Sequence, residues 1–498
     1  MSRKALALAA LLLQAAISLP AQDLAALEKR VTEFTLPNGM HFIVFERHDA
    51  PVVAFNAYVN AGSANDPAGK SSIAHMFEHM IGKGIRSVGS KDWAAEEKSL
   101  QTVEQIYDKL ETAEKSKNTD AIKTLQEQLK DTIESANNHV DPNAYVRTIE
   151  EQGGVGFNAG TANDYTVYFY SLPSNKAELW FLMSSEFFRQ PVFREFYKER
   201  DVVQEERRMR LESNPQGKLV ELMLSTAFTK HPYRYYIGPA KEIDELRVKD
   251  AEAFFKKNYV PANVTVGIVG DIQPAAAKAL AMKYFGDIPK GPAPAALSDI
   301  EPPQTKERRA HIAQDSQPLL FIGYKRPDQK DPADPVLDVI AGILSSGRTG
   351  MLYKDLVRDR KIALGIQAGA TFPSGKYPGL FIFFGLPNAG HTVEEIEKGI
   401  YESVEKLKTE KVDAETLQRV KTKVRAGQIR QLDSNSGLAQ QLPFYAVNYG
   451  DWKYMIKGID DIDKVTAEDV QRVAKQIFVA EKRTVVWSEQ AKAQGGAK

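Results

Sequence analysis

The chain of 498 residues contains no cysteine. That excludes disulfide scaffolds, thiolate-held zinc, iron–sulfur clusters and thiol nucleophiles. Histidine is scarce: with 8 in all, any bound metal must be held by a few imidazoles and carboxylates. Net charge is lacking too, since 65 Lys and Arg face 65 Asp and Glu. The balance removes the electrostatic basis for a nucleic-acid partner. Long apolar runs are missing except at the start. There Ser2-Arg3-Lys4 precedes an apolar stretch from Ala5 to Leu19 and the small residues of Leu19-Pro20-Ala21-Gln22. This pattern predicts a signal peptide over 1–21, an exported mature chain (periplasmic if bacterial) and no transmembrane segment after cleavage.

The length predicts two or more domains, and 43% hydrophobic residues suffice for sizeable cores. Phe34 to Phe45 reads as two strands joined at Asn38-Gly39, and Val52 to Val59 as a third. A helix follows from about Ser72 to Ile81, with serines available as caps. Residues 94–136 are dense in Glu, Lys and Gln and hold no Gly or Pro. Leu100, Val103, Tyr107 and Leu110 recur at helical spacing, as do Ile122, Leu125, Leu129 and Ile133, with a break at Asn118-Thr119-Asp120. The segment reads as an inserted αα-hairpin. Strands resume at Thr166–Ser171 and Val264–Val269, with a helical region over 194–212 between them.

Residues 287–308 form a Pro-rich connection. It separates an N-terminal domain, 22–286, from a C-terminal domain, 309–487, with a polar tail at 488–498. The halves also repeat. A shift of 219 residues lays Tyr235–Asp244 on Tyr454–Asp463 and carries Thr265-Val266 onto Thr484-Val485. The expected fold is therefore α+β: two related modules, each a mainly antiparallel sheet packed against helices, the first bearing the hairpin.

The sharpest chemical signal is His75-Met76-Phe77-Glu78-His79, an H-x-x-E-H pattern. Residues four apart share a helical face, so both imidazoles can bind one Zn²⁺, and Glu78 can reach a water as general base. A third ligand is needed. Glu199-Arg-Asp-Val-Val-Gln-Glu-Glu206 is the best donor helix, and spacing leaves Glu199, Glu205, Glu206 and Glu212 all open.

Here the sequence resembles the pitrilysin/insulinase/mitochondrial-processing-peptidase superfamily of zinc metallopeptidases (inverzincins), in its two-domain bacterial form. The likeness runs through Leu36-Pro-Asn-Gly39, Ala61-Gly62-Ser63, Ala74 to Met80, Phe157 to Thr161, and Glu199-Arg200…Val203…Glu206. It continues at His231-Pro-Tyr233, Phe321-Ile-Gly323 and Leu352 to Arg358. The resemblance implies one zinc on His75, His79 and Glu206, with Glu199 as supporting acid. It implies Glu78 as base toward a zinc-bound water, and Asn158, Ala159, Gly160 and Thr161 as an edge that pairs with peptide substrate. It also implies a dimeric clamshell acting on unfolded peptides.

Two departures stand out. The separation of His79 from Glu206 is longer than usual in the family, and the hairpin accounts for most of the excess. Where the family has Tyr seven residues after its Arg, here Arg358, this chain has Gly365. Arg358 can still polarise a substrate carbonyl, but a phenol donor to the tetrahedral intermediate is missing, and such a donor is worth on the order of a hundredfold in rate. A dimer is expected, either with a related subunit carrying the Arg/Tyr pair, which could supply that donor, or with a second copy of this chain. The competing reading is therefore a weakly active or inactive subunit of a heterodimeric peptidase, acting in binding or assembly.

Overall fold

The computed structural model of the chain describes residues 27–298 and 301–491. The signal peptide expected over 1–21 lies outside them, as does most of the expected tail. Among the described residues no helix is long and apolar enough to cross a membrane.

The fold is α+β with two sheets, as the sequence predicts. The first comprises β1 (Val31–Thr35), β2 (His41–Glu46), β3 (Val52–Val59), β4 (Val155–Thr161), β5 (Thr166–Pro173) and β6 (Val264–Gly270), in the order β1-β2-β6-β3-β5-β4. All pairs are antiparallel except β2 with β6, so the sheet is mixed. The β2 sequence His-Phe-Ile-Val-Phe-Glu buries both faces, which explains its unbroken apolar run. Phe42 and Val44 join a core beneath α1 (Ile73–Met80), and Ile43 and Phe45 face the opposite side.

Helices α2 (Trp93–Lys115) and α3 (Thr119–Asn138) form the inserted hairpin, with Asn118 capping the second through Ala121 N. The body continues with α4 (Ala177–Arg189), α5 (Phe196–Arg207), α6 (Pro215–Ala227) and α7 (Val248–Asn258). A π-helical turn, Arg208–Glu212, extends α5.

The second sheet has the order β7-β11-β8-β10-β9, built from β7 (Arg308–Gln314), β8 (Leu320–Arg326), β9 (Ala363–Phe372), β10 (Gly379–Pro387) and β11 (Arg483–Gln490). Only β7 and β11 are parallel. Its helices include α8 (Asp334–Ser345), α9 (Asn435–Tyr449), α10 (Tyr454–Lys464) and α11 (Ala467–Ile477). The sequence repeat has a structural counterpart: β6 and β11 occupy the same place in their sheets, each between a parallel and an antiparallel neighbour.

One boundary differs from expectation. Ser488, Glu489 and Gln490 are not tail but the end of β11, paired with Ile312, Ala313 and Gln314, and Ser488 is buried with its Oγ accepting from Leu319 N. The modules also exchange helices across the chain boundary. From the first, α6 places Leu219, Met223 and Leu224 against Phe321, Leu380 and Val486 of the second sheet. From the second, α9 places Leu438, Ala439 and Leu442 against Ile43, Phe45 and Val269 of the first. Gly267 permits that approach, because a Cβ there would lie 2.2 Å from Ala439 O.

Candidate metal centre

Ile73, Met76, Phe77 and Met80 repeat at helical spacing and bury one face of α1. His75, Glu78 and His79 fall on its half-exposed side. The start of the helix is not capped by a serine hydroxyl. Ser72 takes a left-handed φ of 73° and its Oγ accepts from Gly238 N. The cap is Asp66, whose carboxylate accepts from Ser72 N (2.6 Å) and Ala74 N (3.0 Å) and ties the helix to the preceding loop.

The two imidazoles stand 5.0 Å apart with their planes at 77°. Opposite them α5 presents Glu206, with Oε2 at 3.5 Å from His75 Nε2 and Oε1 at 3.7 Å from His79 Nε2. One ligand atom from each of the three residues lies within 4.8 Å of the others. Bonds of about 2.0–2.1 Å to a tetrahedral zinc put donor atoms about 3.3–3.4 Å apart, so the set fits such an ion. Glu206 Oε2 supplies a second sign: it is buried and makes no hydrogen bond, although the Arg210 guanidinium lies 3.1 Å away. The other acids that spacing left open are engaged elsewhere. Glu205 pairs with Arg208, Glu212 with Arg207, and Glu199 with His79.

Glu199 Oε2 lies 3.0 Å from His79 Nδ1, which leaves Nε2 facing Glu206. Such a contact fixes the ring and its tautomer for metal binding. Burial pushes the Glu199 carboxyl up, but bonds from His79 and Lys83 outweigh it and hold the group below its usual range. Burial likewise lowers His79, and the Glu199 bond with the charges of Glu206, Glu199 and Glu78 carries it above its ordinary value. The His75 imidazole facing it is the main reason that Glu206 is held low.

Behind Glu78 lie the phenols of Tyr168 and Tyr259, hydrogen-bonded at 2.6 Å. Both are pushed up, by burial first, with the Glu78 charge adding to it. Asn158, Ala159, Gly160 and Thr161 lie on β4, the outermost strand of its sheet, which packs beside α1. One side of β4 pairs with β5, and the other has no strand partner among the described residues. Arg358 is not brought to the metal ligands. It sits in a π-helical segment, Tyr353–Asp359, of the second module, exposed and paired with Asp359 at 2.6 Å. Gly365 lies on β9 with open space where a side chain would project.

Spacing gave no hint of Asp66 or Lys83. Asp66 acts from the loop before α1 and Lys83 from the 3₁₀ turn that continues it, and the contacts of both depend on the folded chain. The only signals were an acid upstream of a helix start and a lysine four residues past His79.

Known proteins of similar sequence and structure share this two-module fold. The family model described as Insulinase (Peptidase family M16) matches residues 129–239, and the one described as Peptidase M16 inactive domain matches 245–424. Together they span more than half of the chain, and the H-x-x-E-H lies before the first match. Zinc protease PqqE of Helicobacter pylori is 26% identical over 469 residues, covering 91% of each chain. A crystal structure of a protease from Helicobacter pylori superposes with a TM-score of 0.77 at 24% identity, covering 92% of this chain and 99% of that one. A peptidase M16 inactive domain from Pseudomonas fluorescens does so with 0.73 at 18% identity, covering 93% and 99%.

Proposed function

The chain belongs to the insulinase (M16) family of peptidases, and from that premise we propose that it is a zinc metalloendopeptidase acting on unfolded peptides, with one zinc per chain. The observation that carries this reading is the triangle of His75, His79 and Glu206 donors beside an open strand edge. A zinc ion held by those three residues would polarise the scissile carbonyl and acidify a water. Glu78 takes the proton of the attacking water and returns it to the departing amine. The free edge of β4 over Asn158 to Thr161 binds the peptide as an added strand, through main-chain bonds that demand little of its sequence. Glu199 orients His79 throughout.

A specific observation also favours a second subunit. Among the described residues, the charged groups paired with the metal ligands come from the first module, and Arg358 faces solvent without a phenol at 365. In a dimer, a related chain carrying the Arg/Tyr pair would complete the site, whereas a second copy would bring only its own Arg358. A weakly active or inactive role within such a pair is the alternative. The basic-then-apolar start of the sequence supports export, to the periplasm in a bacterium.

The test is metal analysis and a quenched-peptide assay on the purified chain. We expect one zinc per chain and turnover that a chelator abolishes and zinc restores. Glu78→Gln should keep the zinc and lose about 10²–10⁴-fold in rate. Zinc without turnover, alone and with a related chain, would establish the alternative.

A further inference from the structure

The loop that leaves α1 and the turn that begins α5 meet at one lysine. Lys83 Nζ lies 2.5 Å from Glu199 Oε1 and donates to Glu195 Oε2 at 3.1 Å. The other Glu199 oxygen faces His79 Nδ1. Glu199 is thus gripped at both ends, by the lysine on one side and the imidazole on the other. Glu195 holds a left-handed φ of 55°, a strained conformation for a residue with a side chain, and its second oxygen accepts from Lys198 at 2.7 Å.

The backbone of Lys83 is fixed as well. Its carbonyl accepts from Arg194 Nη1 at 2.6 Å, and Arg194 is locked in a fully buried two-bond pair with Glu96 of the inserted hairpin, at 2.5 and 3.1 Å. The loop wraps this guanidinium closely. A Cβ on Gly89, whose φ is +112°, would stand 2.4 Å from Arg194 Nη1.

We infer that Lys83 is a positioning residue for the metal centre: anchored by Glu195, and through Arg194 by Glu96 of the hairpin, it sets the orientation of Glu199 and thereby of His79. The inference rests on the zinc reading above and gives the insertion a role, as a brace behind the site. An ammonium at this place can hold Glu199 in one rotamer, whereas an uncharged side chain of equal length leaves the carboxylate free to turn from His79.

The measurement is zinc affinity of the full chain by competition with a chromophoric chelator, with the visible spectrum of the cobalt(II)-loaded protein alongside. Lys83→Met should weaken zinc about tenfold and alter the cobalt bands, with the apo protein melting as wild type does. Lys83→Arg should restore affinity to within about threefold, and Glu195→Gln should fall between. A wild-type chain that binds no zinc would remove the metal reading itself. Wild-type binding, with Lys83→Met and Glu195→Gln both unchanged in affinity and spectrum, would overturn the role of Lys83 alone.

Discussion

Strand for strand, β2-β6-β3-β5-β4 of the first sheet corresponds to β7-β11-β8-β10-β9 of the second. In each, the third strand of that run leads into a helix, α1 after β3 and α8 after β8. The two helices are used differently. On α1, one apolar face is buried and the other carries His75, Glu78 and His79. On α8, Val336, Leu337, Val339, Ile340, Ile343 and Leu344 are buried, and the acids Asp334 and Asp338 stand four residues apart. Asp334 pairs with Arg326 at 2.5 Å. The scaffold is duplicated and the chemistry is not. A metal site needs a facing helix with a carboxylate, which α5 provides for α1.

The largest effect should therefore separate the modules. Glu206→Gln is expected to weaken zinc by at least about a hundredfold, more than loss of an outer support, and to abolish hydrolysis. Asp338→Asn should leave both unchanged. Equal losses from the two variants in a metal and peptide assay would break the comparison.

The next effect concerns what the modules share. The 219-residue shift also brings α6 onto α9, so the exchange of helices is reciprocal: each covers the outer face of the other module's sheet. Leu219→Ala in α6 and Leu442→Ala in α9 each remove a fully buried side chain, and each should cost about 2–5 kcal/mol in denaturant unfolding. A loss below about 1 kcal/mol for one of them would show that its interface carries little weight.

That exchange bears on what could be read in advance. The strands were legible because their apolar runs and the Asn38-Gly39 turn are local signals, and the hairpin because its seam repeats at helical spacing. His75 and His79 were visible as a pair since one helix sets their geometry. Glu206 was not separable from Glu199, Glu205 and Glu212 by spacing alone. Their roles depend on how α5 crosses α1, which is fixed by contacts such as Lys83 with Glu199 and Met76 and Val203 within the shared core. The helix exchange was hidden for the same reason. The apolar faces of α6 and α9 say that something covers them, not which sheet.

The metal-site acids of α5 and the buried acid of α8 should also titrate oppositely. In the first module, Glu199 and Glu206 are held low by their partners. In the second, burial pushes Asp338 up to about 7, with the Asp334 charge adding and Arg326 opposing. A folded state that keeps this proton loses stability as pH rises from the unfolded value near 4 toward 7, and the cost is complete above that. Asp338→Asn should raise stability by about 2 kcal/mol at pH 8, and the gain should vanish by about pH 4. A gain independent of pH would assign the effect to packing.

The smallest difference lies just past the exchanged helices. After α9 the chain turns at Gly450, with φ +88°, and Trp452 Nε1 donates to Glu33 at 2.9 Å, a neutral donor on an acid of the first strand. After α6 the tie is a charge: Glu301, from the connection between modules, accepts from the backbone N–H groups of Thr229, Lys230 and His231 at 2.8–3.2 Å. Burial alone would raise this carboxyl, but those three bonds, with the Lys325 charge, hold it at about 2. A depressed acid stabilises the fold above its unfolded value near 4.3, and loses that contribution as pH falls toward 2. Glu301→Gln retains the shape and removes the charge. Allowing for solvent screening of a partly exposed group, it should cost about 1–2 kcal/mol at pH 7. The gap from wild type should close between about pH 4.5 and pH 2. Parallel pH profiles for Glu301→Gln and wild type would show that the linker is held by its backbone and not by this carboxylate.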